Sequence, residues 1–313
     1  MLAAAAWLSG CAGLPVNLEQ EYQFQERASF ATVQAGDAFA NAFAKDLCVV
    51  EDEAAFSDGA ITSEAAAIFD LYDSEVLYSK NAFQKMYPAS ITKVMTALLA
   101  VKYGNLTDMV TVPQEVTSIT ESGATMCGIK PGDVISMQEL LYGLMLPSGN
   151  DAGVAIAVHM DGSVEAFADR MNREAALLGA TGSHFENPHG LNAENHYTTV
   201  YDLYLIFQEA LKYPEFREII HTASHTAQYQ DSQGQAKTPT WKNSNWFLTG
   251  QKEAPEGVTV VGGKTGTTNA AGYCLIMDSA DAKNHDYISV VLKADSRPAL
   301  YENMYHLIDK IVN

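Results

Sequence analysis

The sequence predicts an α/β fold: an antiparallel β-sheet flanked by helices, with an added helical lobe. Three observations predict it. Residues 65–80 read as two short strands around a polar turn, and residues 258–293 as further strands with a polar turn between them, the pattern of antiparallel neighbours. Residues 135–211 instead carry helical periodicity broken by Pro, Gly and Asn turns. Grouping strands and helices in blocks, rather than alternating them, points to helices packed on an antiparallel sheet. A chain of 313 residues with 47% hydrophobic content also has the material for a large core, in one domain or two.

Residues 1–16 are expected to be a signal-like segment. Met1 to Gly13 is an apolar run ending in small residues, like the tail of a secretory signal peptide. Leu8-Ser9-Gly10-Cys11 resembles a bacterial lipobox, in which Cys11 would become the lipidated first residue of the mature protein. The usual basic n-region is missing, since no Lys or Arg precedes Arg27, and a start codon assigned too late is the expected reason. Residues 17–63 follow as an acidic spacer rich in Gln, Glu, Ala and Phe, with one amphipathic helix expected over residues 35–50. No chemistry is visible in it.

The body is expected to span residues 64–313. Ala65–Tyr72 and Glu75–Lys80 form a hairpin about Asp73-Ser74. Pro88 cannot sit inside a helix, so the helical pattern that runs to Gly104 starts at Ser90. Val110–Val112 and Met126–Ile129 read as short strands or turns around Pro131-Gly132-Asp133. Ile135–Leu146 is a helix whose Ser136-Met137-Gln138-Glu139 start matches a capping box, and Pro147-Ser148-Gly149-Asn150 halts it. Asp151–His159, Val164–Leu178 and Thr198–Leu211 are further helices, and His189 is read as a structural histidine within the turn Asn187-Pro188-His189-Gly190-Leu191. The β-branched run Val258–Val261 puts Lys264 on or just after a strand. Gly272–Asp278 and Tyr287–Lys293 continue the sheet, and Pro298–Val312 is a closing helix that leaves no length for a further C-terminal β domain.

Nineteen basic residues against 38 acidic ones give a formal charge of -19 and a pI near 4.7, which argues against nucleic acid or an anionic membrane surface as partner. Cys11, Cys48, Cys127 and Cys274 are widely spaced with no CxxC pair, so neither a zinc knuckle nor a disulfide framework is implied, although a bridge from Cys48 to Cys127 or Cys274 stays open. The eight histidines include no HExxH or HxH spacing, so no metal is expected, nor any other cofactor.

The chemistry centres on Ser90 and Lys93. Residues three apart share a helical face, so the hydroxyl and the amine can meet. Serine is a poor nucleophile at neutral pH, but an adjacent amine held neutral can take its proton. Alone, Ser-x-x-Lys has a bland reading as a helix-start serine with a solvated lysine. Ser148-Gly149-Asn150 and Lys264-Thr265-Gly266 overturn it, because SxxK, SxN and KTG in that order are the element set of penicillin-binding proteins and class A β-lactamases. Gly263-Lys264-Thr265 also mimics the end of a phosphate-binding loop, but Val258 stands where that loop needs glycine. No GxSxG elbow supports an ordinary Ser-His-Asp hydrolase.

On these motifs the chain, from about Ala65 to Val312, resembles the low-molecular-mass penicillin-binding proteins, the serine-type D-alanyl-D-alanine carboxypeptidases. The resemblance implies the β-lactamase/DD-peptidase fold and an acyl-enzyme mechanism on peptidoglycan stem peptides, with β-lactam antibiotics as acylating ligands. It implies Ser90 as nucleophile, Lys93 as base, Ser148 as proton relay to the leaving amine and Asn150 as the group orienting Lys93 and the substrate amide. Lys264 and Thr265 would bind the terminal carboxylate, with Arg297 a weaker candidate beside them. The backbone amides of Ser90 and Thr267 would hold the oxyanion. The protein would act outside the cytoplasm, at the outer face of the bacterial cytoplasmic membrane, held there by a lipid anchor or secreted.

Two alternatives are set against this expectation. A class A β-lactamase shares the motifs but needs a glutamate in an ExxxN pattern, whereas the fourth residue after Glu186 is Gly190, and the central motif is Ser-Gly-Asn rather than Ser-Asp-Asn. A non-hydrolytic β-lactam sensor or wall-binding module would keep Ser90 and Lys93, and only release of D-alanine separates it from an enzyme.

Overall fold

The computed structural model describes residues 47–50, 53 and 56–313. Cys11, the lipobox and residues 35–46 of the expected N-terminal helix lie outside the described residues; residues 47–50 run without regular structure. Within the stretch read as a spacer, Cys48 is wholly buried, its N–H donating to Tyr204 Oη (2.9 Å) and its thiol to Asp70 O (3.2 Å). Packing therefore begins before residue 64.

A five-stranded antiparallel sheet forms the centre, in the order β2 (Glu75–Lys80), β1 (Ala65–Asp70), β11 (Asp286–Ala294), β10 (Gly272–Ala280), β9 (Thr259–Thr268). Its two faces are distinguished by the period of two along β1. Ala65, Ala67 and Phe69 join the core shared with the helical lobe, while Ala66 and Ile68 join a second cluster beneath α7 (Arg297–Asp309). With both faces covered, β1 is buried at every position, which is why Ala65 to Phe69 is an unbroken apolar run instead of an alternating one, before the strand ends on Asp70.

The lobe is built from α1 (Lys93–Tyr103), α2 (Met137–Met145), α3 (Asn150–Asp161), α4 (Val164–Leu177), α5 (Val200–Ala210) and α6 (Pro214–His221). The cap expected at Ser136 forms, and two further starts are capped in the same way. Ser136 Oγ accepts from Glu139 N (3.2 Å), Thr199 Oγ1 from Asp202 N (3.0 Å) and Ser296 Oγ from Ala299 N (3.2 Å). The Glu139 carboxylate bonds His225 Nε2 at 2.7 Å, so it serves a tertiary contact while its backbone is capped. The small strands β3 (Met109–Thr111), β4 (Val134–Ser136), β6 (Tyr229–Gln230) and β7 (Ala236–Lys237) form one minor sheet, and β5 (Ser224–Thr226) pairs with β8 (Thr240–Lys242).

One departure from the sequence reading matters for the site. The α-helix starts at Lys93, and Ser90 sits in a preceding 3-10 turn, Ala89–Thr92, where it caps nothing. Lys264 lies on a strand, as expected, in the middle of β9.

Candidate active site

Tertiary contacts fix the turn that carries Ser90. Ala89 has a left-handed backbone (φ 48°), a costly conformation for a residue with a Cβ. Gly190, also left-handed at φ 87°, presses against it: a Cβ on Gly190 would fall 1.8 Å from Ala89 O. On the other side Gly266 of β9 lies so close that a Cβ there would meet Pro88 O and Ser90 N at 3.0 Å. The Asn-Pro-His-Gly-Leu turn and the Lys-Thr-Gly strand thus clamp the nucleophile's turn between them, and both need glycine to do so.

Lys93 is fully buried, and its Nζ lies 3.0 Å from Ser90 Oγ, 2.6 Å from Asn150 Oδ1 and 2.7 Å from His189 O. The last two are carbonyl oxygens and can only accept. A neutral amine has two N–H bonds and one lone pair, so with both N–H bonds given to these carbonyls the lone pair is left for the Ser90 hydroxyl. The electrostatics favour that state. Burial first, then the Lys264 cation, hold the Lys93 amine well below its ordinary value, against a smaller opposing pull from Asp151 and Cys127.

Lys264 is the second buried lysine, 1% exposed, and burial pushes it down to about 7. Its ammonium donates to Ser148 Oγ and to Thr265 O, both at 2.9 Å. Ser148 is itself left-handed at φ 68°, a strained position that turns its hydroxyl toward Lys264. Ser148 and Asn150 flank the start of α3, and Asp151 pins that start. The wholly buried Asp151 carboxylate accepts from Cys127 N (2.9 Å), Gly128 N (2.8 Å) and Ala152 N (3.0 Å).

The remaining expected residues are placed as follows. Thr265 Oγ1 lies 2.5 Å from Ser244 Oγ, and Thr267 is exposed on β9, one residue past Gly266. Arg297 is exposed at the first position of α7; four residues further on, Tyr301 donates its hydroxyl to Ser244 O (3.3 Å) and accepts from Trp246 N (2.9 Å). His189 is buried and pushed down to about 3, hence neutral, with Nδ1 accepting from Leu191 N (3.2 Å). Cys48, Cys127 and Cys274 are free buried thiols, so no bridge forms among them.

Sequence reasoning missed Asp151, Ser244 and the two backbone carbonyls of Pro188 and His189, which accept from Thr96 Oγ1 (2.6 Å) and Lys93 Nζ. For Asp151 the only signal was its place beside Asn150. For Ser244 it was the Asn-Ser-Asn run, two turn-forming amides about a hydroxyl. Among the described residues no group of three His, Cys, Asp or Glu side chains is placed to hold a metal, and no helix is long and apolar enough to cross a membrane.

Known proteins are similar to this chain in sequence and in fold. The D-alanyl-D-alanine carboxypeptidase DacF of Bacillus subtilis is 33% identical over 259 residues, covering 81% of this chain and 63% of that protein. DacC of Escherichia coli, another D-alanyl-D-alanine carboxypeptidase, is 33% identical over 269 residues, with 83% and 63% covered. The chain therefore spans a little under two thirds of the length of these relatives. The crystal structure of a Streptomyces DD-transpeptidase superposes with a TM-score of 0.75 at 29% identity, covering 81% of this chain and 98% of that one. The family profile for D-alanyl-D-alanine carboxypeptidase matches residues 51–296, and with the relatives and the shared fold it shows that the chain belongs to the D-alanyl-D-alanine carboxypeptidase family.

Proposed function

We propose that this chain is a serine-type carboxypeptidase that removes the terminal D-alanine from the D-Ala-D-Ala end of peptidoglycan stem peptides. The bonding of Lys93 Nζ carries the proposal: two obligate acceptors and one hydroxyl around a buried amine leave its lone pair on Ser90. Ser90 gives its proton to Lys93 as Oγ attacks the carbonyl carbon of the penultimate D-alanine. The oxyanion is received by the backbone N–H groups of Ser90 and Thr267. When the C–N bond breaks, the leaving amine needs a proton. Ser148 accepts from Lys264, so its own O–H remains to donate, and Lys264 can restore it. Water then attacks the ester and gives up a proton through Ser148 to the neutral Lys264, while Lys93 returns its proton to Ser90 Oγ as the C–O bond breaks, so that Ser90, Lys93 and Lys264 all regain their starting forms. Lys264 and Thr265 bind the free carboxylate, whose negative charge would also favour the ammonium form of Lys264 and so help to keep Lys93 neutral. Arg297 adds longer-range attraction for the same anion.

The same attack would open a β-lactam ring and leave it on Ser90. Penicillin should add its mass to one residue, Ser90, and Ser90→Ala should carry no adduct; an adduct persisting in that variant refutes the assignment. Release of D-alanine from a peptide ending in D-Ala-D-Ala separates the enzyme from a β-lactam sensor, which would acylate without turnover.

We place the body at residues 64–313, with Cys48 and Ser63 packed onto it from the preceding stretch, and the action outside the cytoplasm, where the stem peptides are. Cys11 is the proposed site of a lipid anchor, supported by the Leu-Ser-Gly-Cys pattern. Palmitate label that fails to enter the full-length gene product, or enters Cys11→Ala equally, removes the anchor and leaves the enzymatic reading intact.

A further inference from the structure

Asp151 is wholly buried at the second position of α3, directly after the residue whose side chain accepts from Lys93. Gly149, just before the helix, has no side chain to cap it. The Asp151 carboxylate takes over that work and adds a tertiary tie. Its Oδ1 accepts from Ala152 N (3.0 Å) and Cys127 N (2.9 Å), and its Oδ2 from Gly128 N (2.8 Å). Asn150 N donates to Thr125 O (2.8 Å), and Trp241 Nε1 donates to Cys127 O (3.0 Å). The 125–128 segment, held by Trp241, therefore braces the turn that presents Ser148 and Asn150. Both Asp151 oxygens only accept, which is the bonding of an ionised carboxylate.

A neutral hydroxyl or amide could accept from N–H groups at a helix start, and a buried charge is costly to keep. The brace alone thus asks for less than the chain supplies. The charge has a use at Lys93. As Ser90 Oγ bonds the carbonyl carbon, the Ser90 proton passes to the Lys93 lone pair, and a buried ammonium forms between two neutral carbonyl oxygens, Asn150 Oδ1 and His189 O. Lys264 on β9 repels that ammonium. Burial keeps the Cys127 thiol and the His189 ring neutral, and the Tyr229 phenol, which also faces Asp151, stays neutral too. Among the described residues that act on Lys93, Asp151 is thus the one that brings an opposite charge. Lys264 favours the free amine at rest, and Asp151 favours the ammonium once it forms. We propose that Asp151 is a positioning residue for acylation: it holds Asn150 on the Lys93 amine and supplies the fixed counter-charge for the ammonium that forms there. This rests on the proposed function, in which Lys93 is the base.

The test follows penicillin acylation of Ser90 against pH in the full chain and in Asp151→Asn, Asp151→Ser, Asp151→Glu and Trp241→Phe, with a melting curve for each. Without the carboxylate the Lys93 amine falls further below its ordinary value, so it is free at lower pH but is a weaker base. In the Asn and Ser variants the ascending limb should therefore move to lower pH, while the plateau rate drops about ten-fold. Asp151→Glu keeps the charge and should keep the limb in place even if its rate falls. Trp241→Phe loosens the brace without removing a charge, so it should lower the rate on an unmoved limb. A limb that stays put in both neutral variants, or moves as far in Trp241→Phe, overturns the counter-charge and leaves the carboxypeptidase reading standing. Failure of both neutral variants to fold overturns it as well, because Asp151 would then serve the fold alone. A wild-type chain that is never acylated at Ser90 overturns the proposed function itself.

Discussion

Lys264 Nζ donates to Ser148 Oγ across 2.9 Å, so the second buried lysine is tied to the Ser-Gly-Asn turn, whereas Lys93 is tied to Ser90. Two amines that repel each other are thereby given different partners and different tasks. Replacing Lys264 with alanine should remove a charge-assisted contact to the substrate carboxylate, about 1.5 to 3 kcal/mol, or roughly ten- to more than a hundred-fold in acylation efficiency. It should also remove the cation that depresses Lys93. A base works unprotonated, so when its pKa rises the acylation profile shifts to higher pH. Lys264→Arg keeps the charge and should preserve the profile better than the rate. Acylation rate measured against pH for the three proteins checks this; an alanine variant with the wild-type rate and profile would refute the role.

Ser244 should matter through Thr265. For the Thr265 hydroxyl to donate to a carboxylate, its oxygen must accept from Ser244, and the 2.5 Å contact allows that. Asn243 Oδ1 bonding Asn245 N (2.9 Å), and Tyr301 bonding Ser244 O and Trp246 N, hold the segment in place. Ser244→Ala should raise KM for substrates with a free terminal carboxylate about five- to ten-fold, the worth of a hydrogen bond of roughly 1 to 1.5 kcal/mol, with a smaller effect on the carboxamide analogue. Equal losses on both would mean a merely structural role.

Gly190 offers a test of the clamp on Ser90. Gly190→Ala combines a left-handed backbone with a Cβ 1.8 Å from Ala89 O, so the Ser90 turn must move. Gly162 has a similar φ of 81° with nothing within 4 Å of a Cβ. Gly162→Ala should cost only the conformational term, about 1 to 2 kcal/mol, with normal acylation. Gly190→Ala should lose most acylation as well as stability. Melting temperatures and penicillin-labelling rates of the two variants check it; equal behaviour would show that the clamp is unimportant.

What the sequence disclosed and what it hid follow one physical division. Ser90, Lys93, Ser148, Asn150 and Lys264 were legible because the chemistry demands those side chains in that order, and the geometry brings them together. The hairpins and long helices were legible from the length of their apolar runs and from the turn residues that bound them, even where, as in β1 and the first eight residues of α1 and α3, burial is not confined to one face. The 3-10 turn at Ala89–Thr92 was not, since its shape depends on Gly190 and Gly266, about 100 and 175 positions away in the chain. Asp151 was equally silent: its partners are backbone N–H groups of Cys127 and Gly128, which leave no mark in side-chain pattern. Strands of two or three residues, such as β6 and β7, are too short to show any period. The helix α6 was passed over because it has only eight residues, although Pro214 at its start was a usable signal.

Asp278 lies wholly buried on β10, between Gly262 of the Lys-Thr-Gly strand and Ile288 of β11. Arg217 Nη1 reaches its Oδ2 only at 3.4 Å, and its Oδ1 has no partner. Burial, with the nearby Asp286 charge adding to it and Arg217 opposing, pushes the carboxyl up to about 8 from an ordinary 3.8. A group with a raised folded-state pKa binds protons more strongly in the folded state, so its stabilising effect is complete below pH 3.8 and is lost as pH rises through about 8. Between those limits the unfolded chain binds fewer protons, and stability should fall with pH by several kcal/mol in total, each pKa unit being worth about 1.4 kcal/mol. Asp278→Asn keeps the shape without the charge, so its melting temperature should be flatter from pH 5 to about 8.5 and higher than wild type at the alkaline end. Melting curves of both proteins across that range decide it: parallel curves would mean that Asp278 is ionised in the fold and that Arg217 neutralises it after all.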